Sequence, residues 1–147
     1  MGVGQAPERT ITLEAPAKVN LSLSVGSAVG IGAPKAGYHP VDSVMACVGL
    51  SDVVRLTPRN RNSSGEPVPS GWSVRWADDA PRCSPFDWPA EKDLAVRAVR
   101  ILERHVGRQL PVGLEITKRI PVGSGLGGGS SDAAAASLRY ASSRNRS

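Results

Sequence analysis

Cysteine is nearly absent from this sequence: Cys47 and Cys83 are the two it has, far apart and without a companion histidine pair. That argues against a metal site and leaves buried or idle thiols, reduced in the cytosol. Aromatic residues are also few, with three Trp, two Tyr and one Phe. None interleaves with the arginines as a base-stacking platform would require. No window approaches the roughly eighteen apolar residues of a membrane span. The first ten residues are mixed and polar and hold no apolar core for export, so a cytoplasmic protein with no membrane partner is expected.

What remains is a chain of 147 residues with 40% apolar content, the size and composition of one ordinary domain. The formal charge of +5 suggests anionic partners. Much of the excess sits at Arg55, Arg59, Arg61, Arg139, Arg144 and Arg146, which flank expected loops and read as solvated surface, so a nucleic-acid face is not expected. The oligomeric state is not legible.

Period-two alternation predicts strands at 11–13 and 19–25, separated by Pro16, then at 44–50, 53–57 and 72–76. The segment 26–37 is turn-rich, 59–70 reads as an exposed connection, and 78–89 is irregular, with Pro81, Pro85 and Pro89. Apolar residues at helical spacing predict a helix over 91–106, stopped by Gly107. His105 is read as a residue on the flank of that helix, not a ligand. A strand over 112–120 and a final helix over 131–140 complete an α+β pattern, a mainly antiparallel sheet with two helices covering one face.

Between that last strand and helix lies Pro121-Val122-Gly123-Ser124-Gly125-Leu126-Gly127-Gly128-Gly129-Ser130-Ser131, with five glycines in the seven positions 123–129. Glycine costs conformational entropy, so such density is expected where backbone N–H groups must approach something a side chain would block, most often a phosphate. Ser130 and Ser131 read as an N-cap, and the alanines after them as a helix whose positive dipole end faces the loop. A P-loop is excluded because no lysine follows the last glycine. The match of Gly123-x-Gly125-x-x-Gly128 to a dinucleotide fingerprint lacks the second strand and the acidic residue about twenty positions on. Protein-kinase companions are missing as well, and a linker does not end in a cap and a helix.

Three motifs together resemble the GHMP kinases, a family of small-molecule kinases: Pro16-Ala17-Lys18-Val19-Asn20-Leu21, Gly37-Tyr38-His39 followed by Asp42-Ser43-Val44, and the glycine loop. Glu91 to Ala98 resembles the first helix of the same family. The resemblance covers about 10–57 and 91–136, and 59–89 adds nothing specific. It implies the family's N-terminal domain, whose β-α-β topology is shared with domain 2 of ribosomal protein S5. The first two motifs look like the branch that phosphorylates a cytidine diphosphate sugar alcohol in the non-mevalonate isoprenoid pathway.

On that resemblance, residues 121–131 hold the phosphates of ATP, and Ser131 lies near Mg²⁺. Lys18 sits beside the substrate hydroxyl, lowering its pKa or stabilising charge as the phosphoryl group moves. Asn20 positions Lys18 or substrate, and Tyr38 and His39 contact the cytosine ring. Asp132, in the first turn of the last helix, is a contact for the dipole or for Mg²⁺ and not the base. The family's base is an aspartate in a Gly-Ala-Asp-Val-Pro type segment, which this sequence does not contain. Ala36, Asp93 and Ser124 are smaller departures from the family pattern. The expectation is an N-terminal, ATP-binding portion spanning 1–147 without the family's second domain. The polar, arginine-rich tail at 137–147 is not core material and reads as aberrant sequence, and little turnover is expected from the chain alone. The alternatives are another GHMP kinase or a noncatalytic module that binds nucleotide or RNA.

Overall fold

The computed structural model describes residues 10–30, 34–58, 71–110 and 112–143, with side chains through 137. The expected exposed connection at 59–70 and the end of the tail lie outside the described residues. Four strands, β1 (Ile11–Val25), β2 (Val41–Pro58), β3 (Trp72–Trp76) and β4 (Val112–Lys118), form one sheet in the order β1-β2-β4-β3. The β1/β2 and β2/β4 pairs are antiparallel, and β3/β4 is parallel. Helices α1 (Leu94–Val106) and α2 (Gly128–Ser143) pack on each other and on the sheet.

The four short strands expected in the first third are two long ones, paired from Ile11 against Leu56 to Val25 against Val41. Pro16 does not end β1. The strand pairs only with β2, so a residue without an N–H is tolerated, and the register shifts between Pro16 and Lys18. A second shift falls between Asn20 and Ser22. At the first irregularity the Lys18 N–H leaves the ladder and donates to the Leu126 carbonyl at 2.9 Å, joining β1 to the glycine loop. The far end of the hairpin is not half-buried as its alternation suggested: Leu21, Leu23, Val25, Val41, Val44 and Met45 are all exposed.

One buried cluster carries the fold. Val54 and Leu56 of β2 and Leu114 and Ile116 of β4 meet Ala95, Val96 and Val99 of α1 and Ala135 and Ala136 of α2. The alanines allow the helices to lie close to the sheet, and apolar burial of this kind contributes about 25 cal/mol per Å² removed from water. Helix α1 starts one residue after its cap, Asp93, whose Oδ1 accepts from the N–H groups of Ala95 (2.9 Å) and Val96 (3.3 Å). A short 3₁₀ turn, Ala90–Lys92, occupies the start of the expected helix. Gly107, at φ 68°, ends α1 in the left-handed conformation expected of it.

Helix α2 starts at Gly128, three residues before the expected position. Its first bond runs from the Ser131 N–H to the Gly127 carbonyl at 3.0 Å, so Ser130 and Ser131 lie inside the first turn and do not cap it. The backbone of α2 continues to Ser143. Cys47 and Cys83 are free and exposed, so of the two alternatives, buried or idle, burial is overturned.

Candidate active site

The loop between β4 and α2 winds through three left-handed glycines, Gly123 (φ 71°), Gly125 (φ 76°) and Gly127 (φ 78°). Inside it Ser124 Oγ donates to the Pro121 carbonyl at 2.7 Å. Two glycines are required by space as well as by angle or position. A Cβ at Gly127 would lie 3.1 Å from Lys18 Cγ, and one at Gly128 would lie 3.0 Å from Ile120 Cγ2 and 3.1 Å from Asp52 Oδ2. The first N–H groups of α2 have no intrahelical carbonyl to bind, and the helix dipole adds positive potential there. A rigid loop leading into such a helix start is suited to an anion.

Lys18 is fastened to this loop by its backbone and by the packing of its side chain against Gly127. Its Nζ donates to Asn20 Oδ1 at 2.6 Å, Asn20 Nδ2 donates to Ser43 Oγ at 2.6 Å, and Ser43 Oγ donates to the Ser22 carbonyl at 2.7 Å. The direction of this relay is fixed by chemistry. A carbonyl only accepts, so the single hydroxyl hydrogen of Ser43 is committed to Ser22, and Ser43 must accept from the amide of Asn20. The Asn20 oxygen is thereby turned to the ammonium. Ser43 lay inside a quoted motif but had no role in the sequence reading. His39 Nδ1 lies 2.9 Å from the Gly26 carbonyl and so carries the ring hydrogen, while Tyr38 is 70% exposed.

Beneath the loop is a charge cluster that the sequence reading missed. Lys118 Nζ, at the end of β4, donates to Asp52 Oδ2 on β2 and to Asp132 Oδ2 on α2, the latter at 2.7 Å. Asp52 Oδ1 also accepts from the N–H groups of Arg119 (2.6 Å) and Ile120 (2.9 Å). All three side chains are buried. The cluster clasps the base of the loop, because Arg119 and Ile120 lead into it and Asp132 follows it. Asp132 therefore pairs with a lysine, a contact not foreseen beside its dipole or Mg²⁺ reading. Its Oδ1 is buried without a partner among the described residues.

Burial lowers the Lys118 pKa, but Asp132 and Asp52 outweigh it and hold the group above its ordinary value. Burial raises the Asp132 carboxyl to about 6, against the downward pull of Lys118 and with Asp52 and Asp93 adding to the rise. A folded-state pKa above the unfolded one means that the folded state binds the proton more tightly. This contribution to stability is full below about pH 4 and is lost as pH rises through about 6. In urea melts in EDTA, the wild type is expected to lose on the order of 1–3 kcal/mol relative to Asp132→Asn between those limits. Parallel pH profiles for the two proteins would count against this assignment.

A cavity of roughly 260 Å³ adjoins the loop, lined by residues 121–125 and 127–130 together with Trp88, Asp93 and Leu94 and with Lys118, Ile120 and Asp132. Lys18, Asn20, Tyr38, His39, Leu126 and Ser131 take no part in its wall. Among the described residues no group of three or more acidic, histidine or cysteine side chains could hold a metal ion, and no helix is long and apolar enough to cross a membrane.

Residues 93–143, from the cap of α1 through the glycine loop and α2, match the model of the GHMP kinases N terminal domain. Over these residues the chain resembles a GHMP kinase N-terminal domain. Similar sequences include the 4-diphosphocytidyl-2-C-methyl-D-erythritol kinase of Thermobifida fusca (strain YX), 40% identical over 127 residues, 86% of this chain and 38% of that protein. The protein of the same name from Paraburkholderia phymatum is 38% identical over 120 residues, 82% of this chain and 34% of that protein. The chain thus spans less than two-fifths of the length of these relatives. A crystal structure of 4-(cytidine 5'-diphospho)-2C-methyl-D-erythritol kinase superposes with a TM-score of 0.63 at 32% identity, over 90% of this chain and 40% of that one. Homoserine kinase from Cytophaga hutchinsonii, 19% identical with a TM-score of 0.55, shares the fold. The GHMP domain expected from the motifs, α+β with a mostly antiparallel sheet and helices on one face, is the one observed.

Proposed function

We propose that this GHMP domain binds ATP on residues 121–131 and presents Lys18 to the hydroxyl that receives the phosphoryl group, the acceptor being the cytidine diphosphate alcohol named in its relatives. The observation that carries this reading is the attachment of Lys18 to the loop: its N–H bonds the Leu126 carbonyl and its side chain lies on Gly127. A cation and an anion cradle are thereby held as one unit. Phosphoryl transfer depends on such positioning and on electrostatic stabilisation.

The loop fits ATP because Gly123, Gly125 and Gly127 take a left-handed backbone that leaves peptide N–H groups uncovered by side chains, beside the unpaired first N–H groups of α2. The Ser131 hydroxyl and the unpartnered Asp132 Oδ1 fit Mg²⁺ and are the atoms that would hold it. When bound, ATP supplies the phosphoryl group and Mg²⁺ offsets its charge. Asn20, oriented by Ser43, fixes the Lys18 ammonium, which would stabilise the negative charge that gathers on the acceptor oxygen as the phosphoryl group moves. Tyr38 and His39 contact the cytosine, with His39 Nε2 left to accept because Nδ1 donates to Gly26. A cytoplasmic location belongs to the same proposal. Calorimetric titration with ATP, with and without Mg²⁺, is the test. Saturable binding is expected, competed by tripolyphosphate, and a chain that binds neither at millimolar concentration has no cradle.

A further inference from the structure

We propose that Ser124 is a positioning residue of the anion site: its hydroxyl sets the peptide groups of the glycine loop in their binding shape before any ligand arrives. The inference rests on the reading of the loop as a phosphate cradle and assigns the side chain that shapes it. Residues 121–124 form a turn closed by the Ser124 N–H on the Pro121 carbonyl at 3.4 Å, with Gly123 as its left-handed third residue. The Ser124 hydroxyl donates to the same carbonyl at 2.7 Å. A hydroxyl has one hydrogen, and this one is committed because a carbonyl only accepts. Oγ is left as an acceptor, and the Leu126 N–H donates to it at 3.4 Å.

That second bond reaches past the turn, which a serine serving only to close it would not do. Leu126 is thereby pinned on both sides, since its carbonyl accepts from the Lys18 N–H at 2.9 Å. One line of bonds runs from the entry of the loop through Ser124 and Leu126 to β1. Along it Gly123, Gly125 and Gly127 are left-handed, while Ser124 and Leu126 are not. Such alternation turns successive N–H groups toward one concavity. The N–H groups of Gly125 and Gly127 bond nothing among the described residues, and the fixing of Ser124 and Leu126 beside them is what directs them. Glycine has the most backbone freedom to lose. A glycine loop already ordered in this way loses little more when an anion binds.

The experiment measures tripolyphosphate affinity by calorimetry and, in the ligand-free full chain, hydrogen exchange of the Leu126 amide by NMR. Ser124 is exposed, so substitution there does not threaten the core. Ser124→Ala is expected to weaken tripolyphosphate about three- to tenfold, the range of one hydrogen bond's net contribution, and to speed Leu126 exchange by at least as much. Ser124→Thr keeps the hydroxyl at a position whose φ is not positive, and is expected to restore both readings. Affinity retained in Ser124→Ala would overturn the proposal and leave the cradle intact. A loss that Ser124→Thr does not restore, or equal Leu126 exchange in wild type and Ser124→Ala, would overturn it as well. A wild type that binds no tripolyphosphate removes the cradle and the proposal together.

Discussion

Replacing Lys118 with methionine is expected to cost the domain about 3–5 kcal/mol of stability. Methionine fills much of the volume of the lysine stem, so the loss is one of charge and not of packing. Asp52 and Asp132, 0% and 3% exposed, would face each other with no cation between them, and one would have to take up a proton. The measurement is a urea melt near neutral pH. The triple variant Lys118→Met, Asp52→Asn, Asp132→Asn should recover part of the loss, because it removes the stranded charges. A single variant as stable as the wild type would show that the buried ion cluster does not hold the loop.

Gly127→Val is expected to weaken ATP at least a hundredfold and to lower stability in the melt by about 1–3 kcal/mol. Two separate costs coincide at this residue. A β-branched side chain at φ 78° is strained by roughly 1–3 kcal/mol. Its Cβ would also meet Lys18 Cγ at 3.1 Å, pushing the cation and the loop apart. Gly125→Ala is the control, since φ is 76° there but nothing lies within 4 Å of the added carbon. It should therefore show strain alone and a milder loss. Equal losses in the two variants would mean that the Lys18 contact does not matter, and retained ATP binding in Gly127→Val would remove the loop from the site.

The glycine loop and the helix stop at Gly107 were legible because each is written in local spacing, whereas Lys18 was singled out only by the resemblance of its motif. The clasp was not, although a signal existed. Asp52 continues the buried row of Val54 and Leu56, and Lys118 continues that of Leu114 and Ile116. A lone charge on a core-facing row demands an opposite partner. Pairing the two requires the β2–β4 register, which alternation alone does not supply. Pro16 misled for a related reason: its effect depends on whether β1 is an outer strand, a property of the whole sheet. Ser43 was hidden because it acts through Asn20, 23 positions away.

Asp52 holds the entry to the glycine loop across 67 and 68 residues of sequence. The motif is therefore not a portable cassette, since grafted onto another strand and helix it would lack the carboxylate that sets its first peptide groups. The same separation orders events in time. Contacts this distant in sequence close slowly, and during synthesis β4 must emerge before Asp52 has anything to hold. On the proposed function, affinity for an anion follows the pairing of β2 with β4, and a nucleotide would stabilise only chains in which that pairing is complete.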